Sequence, residues 1–282
     1  MKVIAKLTEM QGYSDLMRSS GKTISFVPTM GFLHEGHLSL IRKGRELGDN
    51  LIVSIFVNPA QFSPGEDFES YPKDLDRDFD LAEKSGADVI FTPDEKELYP
   101  GNFQTYVELE KLPNHLCGIS RPTFFKGVAT VVAKLFNTVK PHIAVFGEKD
   151  YQQLIIIRRM VRDLNFGINI VGVPTLREPD GLAMSSRNSY LTSEQRINAL
   201  CIYKSLKNAQ ELLKNGVNDA ASIINTTSGL IKSHAETTID YITICDPETL
   251  ADIETINRPA LMALAVKVGE TRLIDNMMLN PE

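Results

Sequence analysis

Cysteine is scarce in this sequence of 282 residues, which contains only Cys117, Cys201 and Cys245. They lie too far apart for a CxxC metal or redox motif, and an odd number suits free, packing thiols in a reducing compartment. Long apolar runs are missing too. The longest, such as 51–57, fall well short of the ~20 residues that cross a bilayer, and Met1-Lys2-Val3-Ile4-Ala5-Lys6 has no signal-peptide core. The expectation is a cytoplasmic protein with no membrane partner. Excess basic charge is also absent: 30 Lys and Arg against 36 Asp and Glu leave a net charge of −6. That balance argues against a surface for nucleic-acid backbones, which usually shows as a basic stripe, and leaves small polar or anionic ligands in a local pocket. No internal repeat, low-complexity tract or long linker interrupts the chain. What remains is ordinary globular composition, 43% hydrophobic and 23% charged, in a length that suits one large domain or two modest ones.

Short apolar segments alternate with amphipathic ones over the first 175 or so residues, the pattern of a parallel sheet with crossover helices. Segments 24–27, 51–57, 88–91, 143–146 and 168–173 read as strands, and 51–57 is apolar on both faces, as in a central parallel strand. Helices are expected at 37–48, 75–84, 127–137 and 151–164. In the first of these Leu40, Gly44 and Leu47, with Ile41 and Gly48 beside them, form a face that can approach a sheet closely. After Arg177 the order changes to two helices, 193–214 and 219–235, then three strands, 239–245, 261–268 and 272–278. Thr192 and Gln195 form a capping-box pattern at the first of those helices. The fold class is therefore α/β with helices on both faces of a parallel sheet over 1–176, followed by a smaller α+β domain over 177–282.

Four segments carry polar residues at strand-to-helix corners or at the domain junction. In Pro28-Thr29-Met30-Gly31-Phe32-Leu33-His34-Glu35-Gly36-His37, two histidines meet a helix N-terminus, which attracts phosphate through its unpaired N–H groups. Gly31 and Gly36 permit close approach of a ligand to the backbone, and His34 and His37 can donate imidazole N–H bonds. A pair that only caps and packs, or a metal site, is the alternative. Phe56-Val57-Asn58-Pro59-Ala60-Gln61-Phe62 puts Asn58 and Gln61 beyond the carboxyl end of a strand, where open α/β sheets bind ligands; an ordinary Asn-Pro turn reads the same way. Phe146-Gly147-Glu148-Lys149-Asp150-Tyr151-Gln152-Gln153 offers Lys149 to phosphate, Asp150 to ribose hydroxyls and Gln153 as an inward amide, or else a solvated charge cluster. The last, Arg177-Glu178-Pro179-Asp180-Gly181-Leu182-Ala183-Met184-Ser185-Ser186-Arg187-Asn188, reads as a mobile loop with Arg187 as an anion clamp, or as a plain interdomain linker.

His34-Glu35-Gly36-His37 and Met184-Ser185-Ser186-Arg187 resemble the HxGH and KMSKS-type signatures of the adenylate-forming nucleotidyltransferase superfamily. The four segments in order, with the closing Arg272-Leu273-Ile274-Asp275-Asn276, resemble the pantothenate synthetase (pantoate–β-alanine ligase) family end to end. This resemblance implies a Rossmann-like first domain and a two-step reaction through pantoyl adenylate, with ATP and Mg2+ as co-substrate and cofactor, Mg2+ held mainly through the ATP phosphates. It implies that His34, His37, Lys149 and Arg187 are catalytic, stabilising phosphate charge. It also implies that Met30, Gly31, Gly36, Gly147, Glu148, Asp150, Leu176, Met184, Ser185 and Ser186 join them in binding ATP. Gln61, Gln153, Met30 and Asn58 are implied for pantoate and β-alanine, and a homodimer for the assembly. Two departures stand out. Ala183 and Ser186 replace the lysines of the KMSKS pattern, leaving Arg187 the loop's charge, and Phe124 stands where the family commonly has histidine. A cytidylyltransferase and a non-enzymatic nucleotide sensor are the alternative readings.

Overall fold

The computed structural model describes residues 1–62 and 68–281. The elements in chain order are β1 (Lys2–Ile4), α1 (Leu7–Ser19), β2 (Ile24–Thr29), α2 (Glu35–Leu47), β3 (Asn50–Ile55), α3 (Leu75–Lys84), β4 (Val89–Phe91), α4 (Glu95–Leu98), α5 (Cys117–Ser120), α6 (Phe124–Val139), β5 (Ile143–Gly147), α7 (Tyr151–Asp163), β6 (Asn169–Val173), α8 (Ser193–Lys214), α9 (Ala220–Lys232), β7 (Thr237–Cys245), β8 (Ala260–Val268) and β9 (Thr271–Leu279). Contacts divide the chain into two compact units. One comprises Met1–Glu110, Arg121–Glu148 and Gln153–Pro174; the other comprises Lys111–Ser120, Lys149–Gln152 and Thr175–Glu282.

The first unit is built on a parallel sheet of six strands in the order β1-β4-β3-β2-β5-β6. Successive side chains of a strand face opposite ways, and here both ways are apolar. Phe26, Ile52, Val89 and Ala144 join the buried cluster that also holds Val132 and Phe136 of α6. Their neighbours Val27, Val53, Ile90 and Val145 join the cluster that holds Ile41 of α2 and Ala82 of α3. Burial on both faces is why these strands read as continuous apolar runs rather than as alternating ones. The expected close approach of α2 is present: Ile41 and Gly44 are buried, and a Cβ on Gly48 would lie 2.8 Å from the Ser25 backbone nitrogen.

Three elements of this unit were not anticipated: β1, α1 and the four-residue α4. Strand β1 has only three residues, too few for a period, whereas α1 has a signal that the reading passed over: Leu7, Met10, Tyr13 and Met17 recur at helical spacing and pack on the core. Helix α6 also begins three residues earlier than the pattern suggested, at Phe124.

In the second unit, α8 and α9 pack on an antiparallel sheet in the order β7-β8-β9. Met262, Leu264 and Val266, alternate residues of β8, meet Ile202, Leu206 and Ile223 of the helices. The capping box at the start of α8 is formed, Thr192 Oγ1 accepting the Gln195 N–H at 3.2 Å while Gln195 Oε1 accepts the Thr192 N–H at 3.2 Å. All three cysteines are free and buried; burial pushes the Cys201 thiol up to about 11 and the Cys245 thiol up to about 12.

Candidate active site

The chain leaves β2 through a turn with two left-handed residues, Gly31 at φ +83° and Phe32 at φ +50°. A side chain in place of Gly31 would also be crowded, since a Cβ there would sit 3.0 Å from Asp78 Oδ2 and from Ile55 Cγ2. Asp78 holds this turn in place. Its carboxylate, buried on α3, accepts the Phe32 and Leu33 backbone N–H groups at 2.7 Å each. Burial raises the Asp78 pKa above the ordinary carboxylate value, and the two N–H groups work against that rise. Sequence reading missed Asp78, although a signal existed: Leu75, Asp78, Phe79 and Ala82 recur at helical spacing, which puts this acid on the apolar face of α3.

Helix α2 starts at Glu35, two residues before the expected position, and His34 is its N-cap. His34 Nδ1 accepts the Gly36 N–H at 3.1 Å and His37 Nδ1 accepts the His34 N–H at 3.4 Å, a reciprocal capping box made by imidazoles. A ring nitrogen that accepts cannot carry the proton, so each neutral ring carries it on Nε2. Capping and phosphate donation, set against each other in the sequence, are therefore compatible: capping uses Nδ1, and the proton of a neutral ring stays on Nε2. The two rings lie with centroids 4.1 Å apart.

Beyond β3, Asn58 caps the short 3-10 turn Pro59–Gln61, its Oδ1 accepting the Ala60 N–H at 3.3 Å. The Asn-Pro turn is real, yet the side chain does more than close it. Asn58 and Gln61 are both buried. Asn58 Nδ2 donates to Gln61 Oε1 and to the Gly127 carbonyl, each at 3.2 Å, while Gln61 Nε2 donates to Met30 Sδ at 2.8 Å. Arg121 Nη2 reaches the Gln61 carbonyl at 3.1 Å, and its guanidinium lies 3.8 Å over the Phe124 ring. Phe124 is thus a platform for Arg121, a contact that the sequence did not suggest.

Strand β5 ends at Gly147, where an added Cβ would meet nothing closer than Leu40 Cδ2 at 4.0 Å. Packing does not demand glycine there. Gln153 is half-buried on α7.

In the second unit Gln152, which precedes Gln153 in the chain, is buried and fully engaged, accepting from the Cys117 N–H at 3.0 Å and donating to the Leu112 and His115 carbonyls at 2.9 and 2.7 Å. Lys149 is 18% exposed and 3.9 Å from the half-exposed Asp150 carboxylate, and its carbonyl accepts from Asn276 Nδ2 at 2.8 Å. Residues 176–184 form a tight hairpin: Arg177 bridges Ala183, the Glu178 N–H meets the Leu182 carbonyl at 2.8 Å, and the Met184 N–H meets the exposed Leu176 at its carbonyl, 3.0 Å away. Arg177 anchors it through a bidentate pair with buried Asp275, at 2.6 and 2.9 Å. Ser185 then caps the 3-10 turn Ser186–Tyr190, accepting the Arg187 N–H at 3.3 Å, and Ser186 and Arg187 are half-buried. Lys149 and Ser185 line one crevice with Leu273, Ile274 and Asp275. Among the described residues, no three His, Cys, Asp or Glu side chains form a metal-binding group, and no helix is long and apolar enough to cross a membrane.

The sequence profile of the family described as pantoate-beta-alanine ligase matches residues 2–278. The chain belongs to that family. It is 58% identical over 281 residues to a pantothenate synthetase of Desulfatibacillum aliphaticivorans, and 55% identical over 282 residues to one of Geobacter sulfurreducens, with 100% of each chain covered in both cases. The crystal structure of pantothenate synthetase from Thermus thermophilus is similar over 100% of both chains, with a TM-score of 0.94 and 42% identity. A pantoate-beta-alanine ligase from Francisella tularensis, solved in complex with beta-gamma ATP and beta-alanine, is similar over 99% of this chain and 97% of that one, with a TM-score of 0.80 and 34% identity. The chain is an enzyme that ligates pantoate and β-alanine. Membership leaves the cytidylyltransferase and sensor readings without support.

Proposed function

We propose that the ligation proceeds in two steps on Mg-ATP. The pantoate carboxylate attacks the α-phosphorus, giving pantoyl adenylate and pyrophosphate, and the β-alanine amine then displaces AMP to give pantothenate. The observation that carries this reading is topological. Met30–His37 and Asn58–Gln61 follow β2 and β3, and Gly147–Glu148 stand at the end of β5; these strands are neighbours in the sheet, and carboxyl ends of such strands are where open α/β sheets take ligands. The Francisella tularensis relative, which holds both a nucleotide and β-alanine, supports it further.

The substrate carboxylate is itself the nucleophile, so the protein must position the reactants and stabilise phosphate charge. His34 and His37 donate through Nε2–H at the N-terminus of α2; Lys149, Ser185, Ser186 and Arg187 add positive charge and hydroxyls. Gly147, Glu148 and Asp150 serve the nucleoside, with Gly31, Gly36, Leu176 and Met184 completing the ATP contacts. Gln61 and Gln153 hold pantoate oxygens, with Met30 and Asn58 forming that wall. Mg2+ arrives as part of the nucleotide substrate, held through its phosphates. A boundary near residue 177, a homodimer and a cytoplasmic location belong to the same reading, and sedimentation of the purified protein tests the dimer.

Adding pantoate, β-alanine and Mg-ATP is expected to yield pantothenate and AMP in equal amounts; ADP instead of AMP would overturn the adenylate route. A His34→Asn variant refines the test, because asparagine keeps an N-cap while removing the imidazole donor. Its melting temperature should stay near that of the parent while adenylate formation falls roughly a hundredfold. A normal rate in this variant would reduce His34 to a cap.

A further inference from the structure

Asn58 is wired so that its amide has one orientation. Its Oδ1 accepts from the Ala60 N–H, a group that can only donate, and its Nδ2 faces the Gly127 carbonyl, which can only accept. The remaining Nδ2 hydrogen goes to Gln61, so Gln61 must turn its oxygen toward Asn58 and its NH2 group outward, where it rests on the Met30 thioether. Oδ1 of Asn58 has a second lone pair, and a residue 41 positions along the chain fills it: Tyr99, whose hydroxyl donates to Oδ1 at 2.9 Å. Tyr99 follows α4, its backbone N–H meeting the Glu95 carbonyl at 2.7 Å, and its ring packs edge-on against Phe103 with centroids 5.1 Å apart. Lys134 lies 4.6 Å over the Phe103 ring and 5.8 Å over the Tyr99 ring.

We propose that Tyr99 is a positioning residue for pantoate, acting through Asn58 to lock the Gln61 amide with its N–H facing the substrate. This rests on the assignment of Gln61 to pantoate. A thioether is a weak acceptor, so an anionic or hydroxyl oxygen of pantoate displaces it readily, and the relay makes Gln61 a donor that selects acceptor oxygens. Burial raises the Tyr99 pKa far above the ordinary tyrosine value, which keeps the hydroxyl a donor across working pH. Nothing in the sequence pairs Tyr99 with Asn58; only the fold of the first unit does.

Steady-state kinetics of Tyr99→Phe, Gln61→Ala and the double variant test the relay. Tyr99→Phe removes one neutral hydrogen bond, so KM for pantoate should rise about three- to tenfold while kcat and KM for ATP hold. Because Tyr99 acts through Gln61, adding Tyr99→Phe to Gln61→Ala should produce no further rise. Full additivity in the double variant, or equal shifts in all three substrates with a fallen melting temperature, would overturn the proposal and make Tyr99 a structural residue. Unchanged KM for pantoate in Gln61→Ala would instead overturn the assignment of Gln61 itself. A raised KM in Gln61→Ala with a normal Tyr99→Phe would sink the relay alone.

Discussion

At the scale of single residues, the polar groups that matter most are those buried with a defined set of partners. Asp78 is the clearest case. Truncating it to alanine would take the acceptor from the buried Leu33 N–H and from the part-buried Phe32 N–H, at about 1 to 3 kcal/mol each with the second toward the low end. Urea unfolding of Asp78→Ala should therefore show a loss of roughly 2 to 5 kcal/mol, and an unchanged midpoint would mean that the turn carries itself. His142 gives a pH-dependent counterpart. Its Nδ1 accepts the Ile24 N–H at 2.9 Å, and burial, with Arg18 as a lesser cause, lowers its pKa below the ordinary 6.5. The unfolded chain then binds the proton first as pH falls, so the stability contributed by neutral His142 is complete above about 6.5 and is lost on acidification through the lowered folded value. Melting temperatures measured between pH 7.5 and 5.5 should fall less steeply for His142→Asn, which keeps an acceptor but no titrating ring; parallel slopes would rule the linkage out.

At the scale of elements, the same substitution has opposite signs on two helices. Gly12 sits inside α1 with nothing within 4 Å of where a Cβ would stand, whereas a Cβ on Gly48, at the end of α2, would press on Ser25 at 2.6 to 2.8 Å. Gly12→Ala should stabilise by about 0.5 to 1 kcal/mol through helix propensity. Gly48→Ala should destabilise by about 1 to 3 kcal/mol, because the Ser25 backbone cannot retreat without disturbing β2. Denaturant midpoints moving in the same direction would refute the packing argument. Helices α3 and α8, both legible in the sequence, open on side-chain caps, Asp74 and Thr192, whereas α1 follows Lys6, which makes no side-chain cap, and its stripe of Leu7, Met10, Tyr13 and Met17 packs on the core.

At the scale of the whole molecule, the proposed reaction divides into two half-reactions, with His34, His37, Lys149 and Arg187 the residues assigned to the triphosphate. The two half-reactions depend on them unequally. Arg187 is assigned to the phosphates that leave as pyrophosphate, a kind of contact commonly worth ~3 to 4 kcal/mol, so Arg187→Ala should slow pantoyl adenylate formation by roughly a hundredfold or more. Attack of β-alanine on preformed adenylate involves no triphosphate and should change little. Single-turnover measurement of each half decides it, and equal slowing of both would move Arg187 out of the phosphate role.

The sequence alone determined the layer order, because burial on both faces writes apolar runs into parallel strands and short polar corners between them. It also held the family, since His34, His37, Lys149, Ser185 and Arg187 stand in local motifs that can be read without neighbours. It could not disclose that Asp78 braces the Phe32 turn from 46 residues away, that Tyr99 reaches Asn58, or that Arg177 closes on Asp275 98 residues later. These contacts depend on which polar groups the packed sheet leaves without water, and a buried donor or acceptor takes whichever partner the fold brings within about 3 Å. Sequence distance carries no information about that choice.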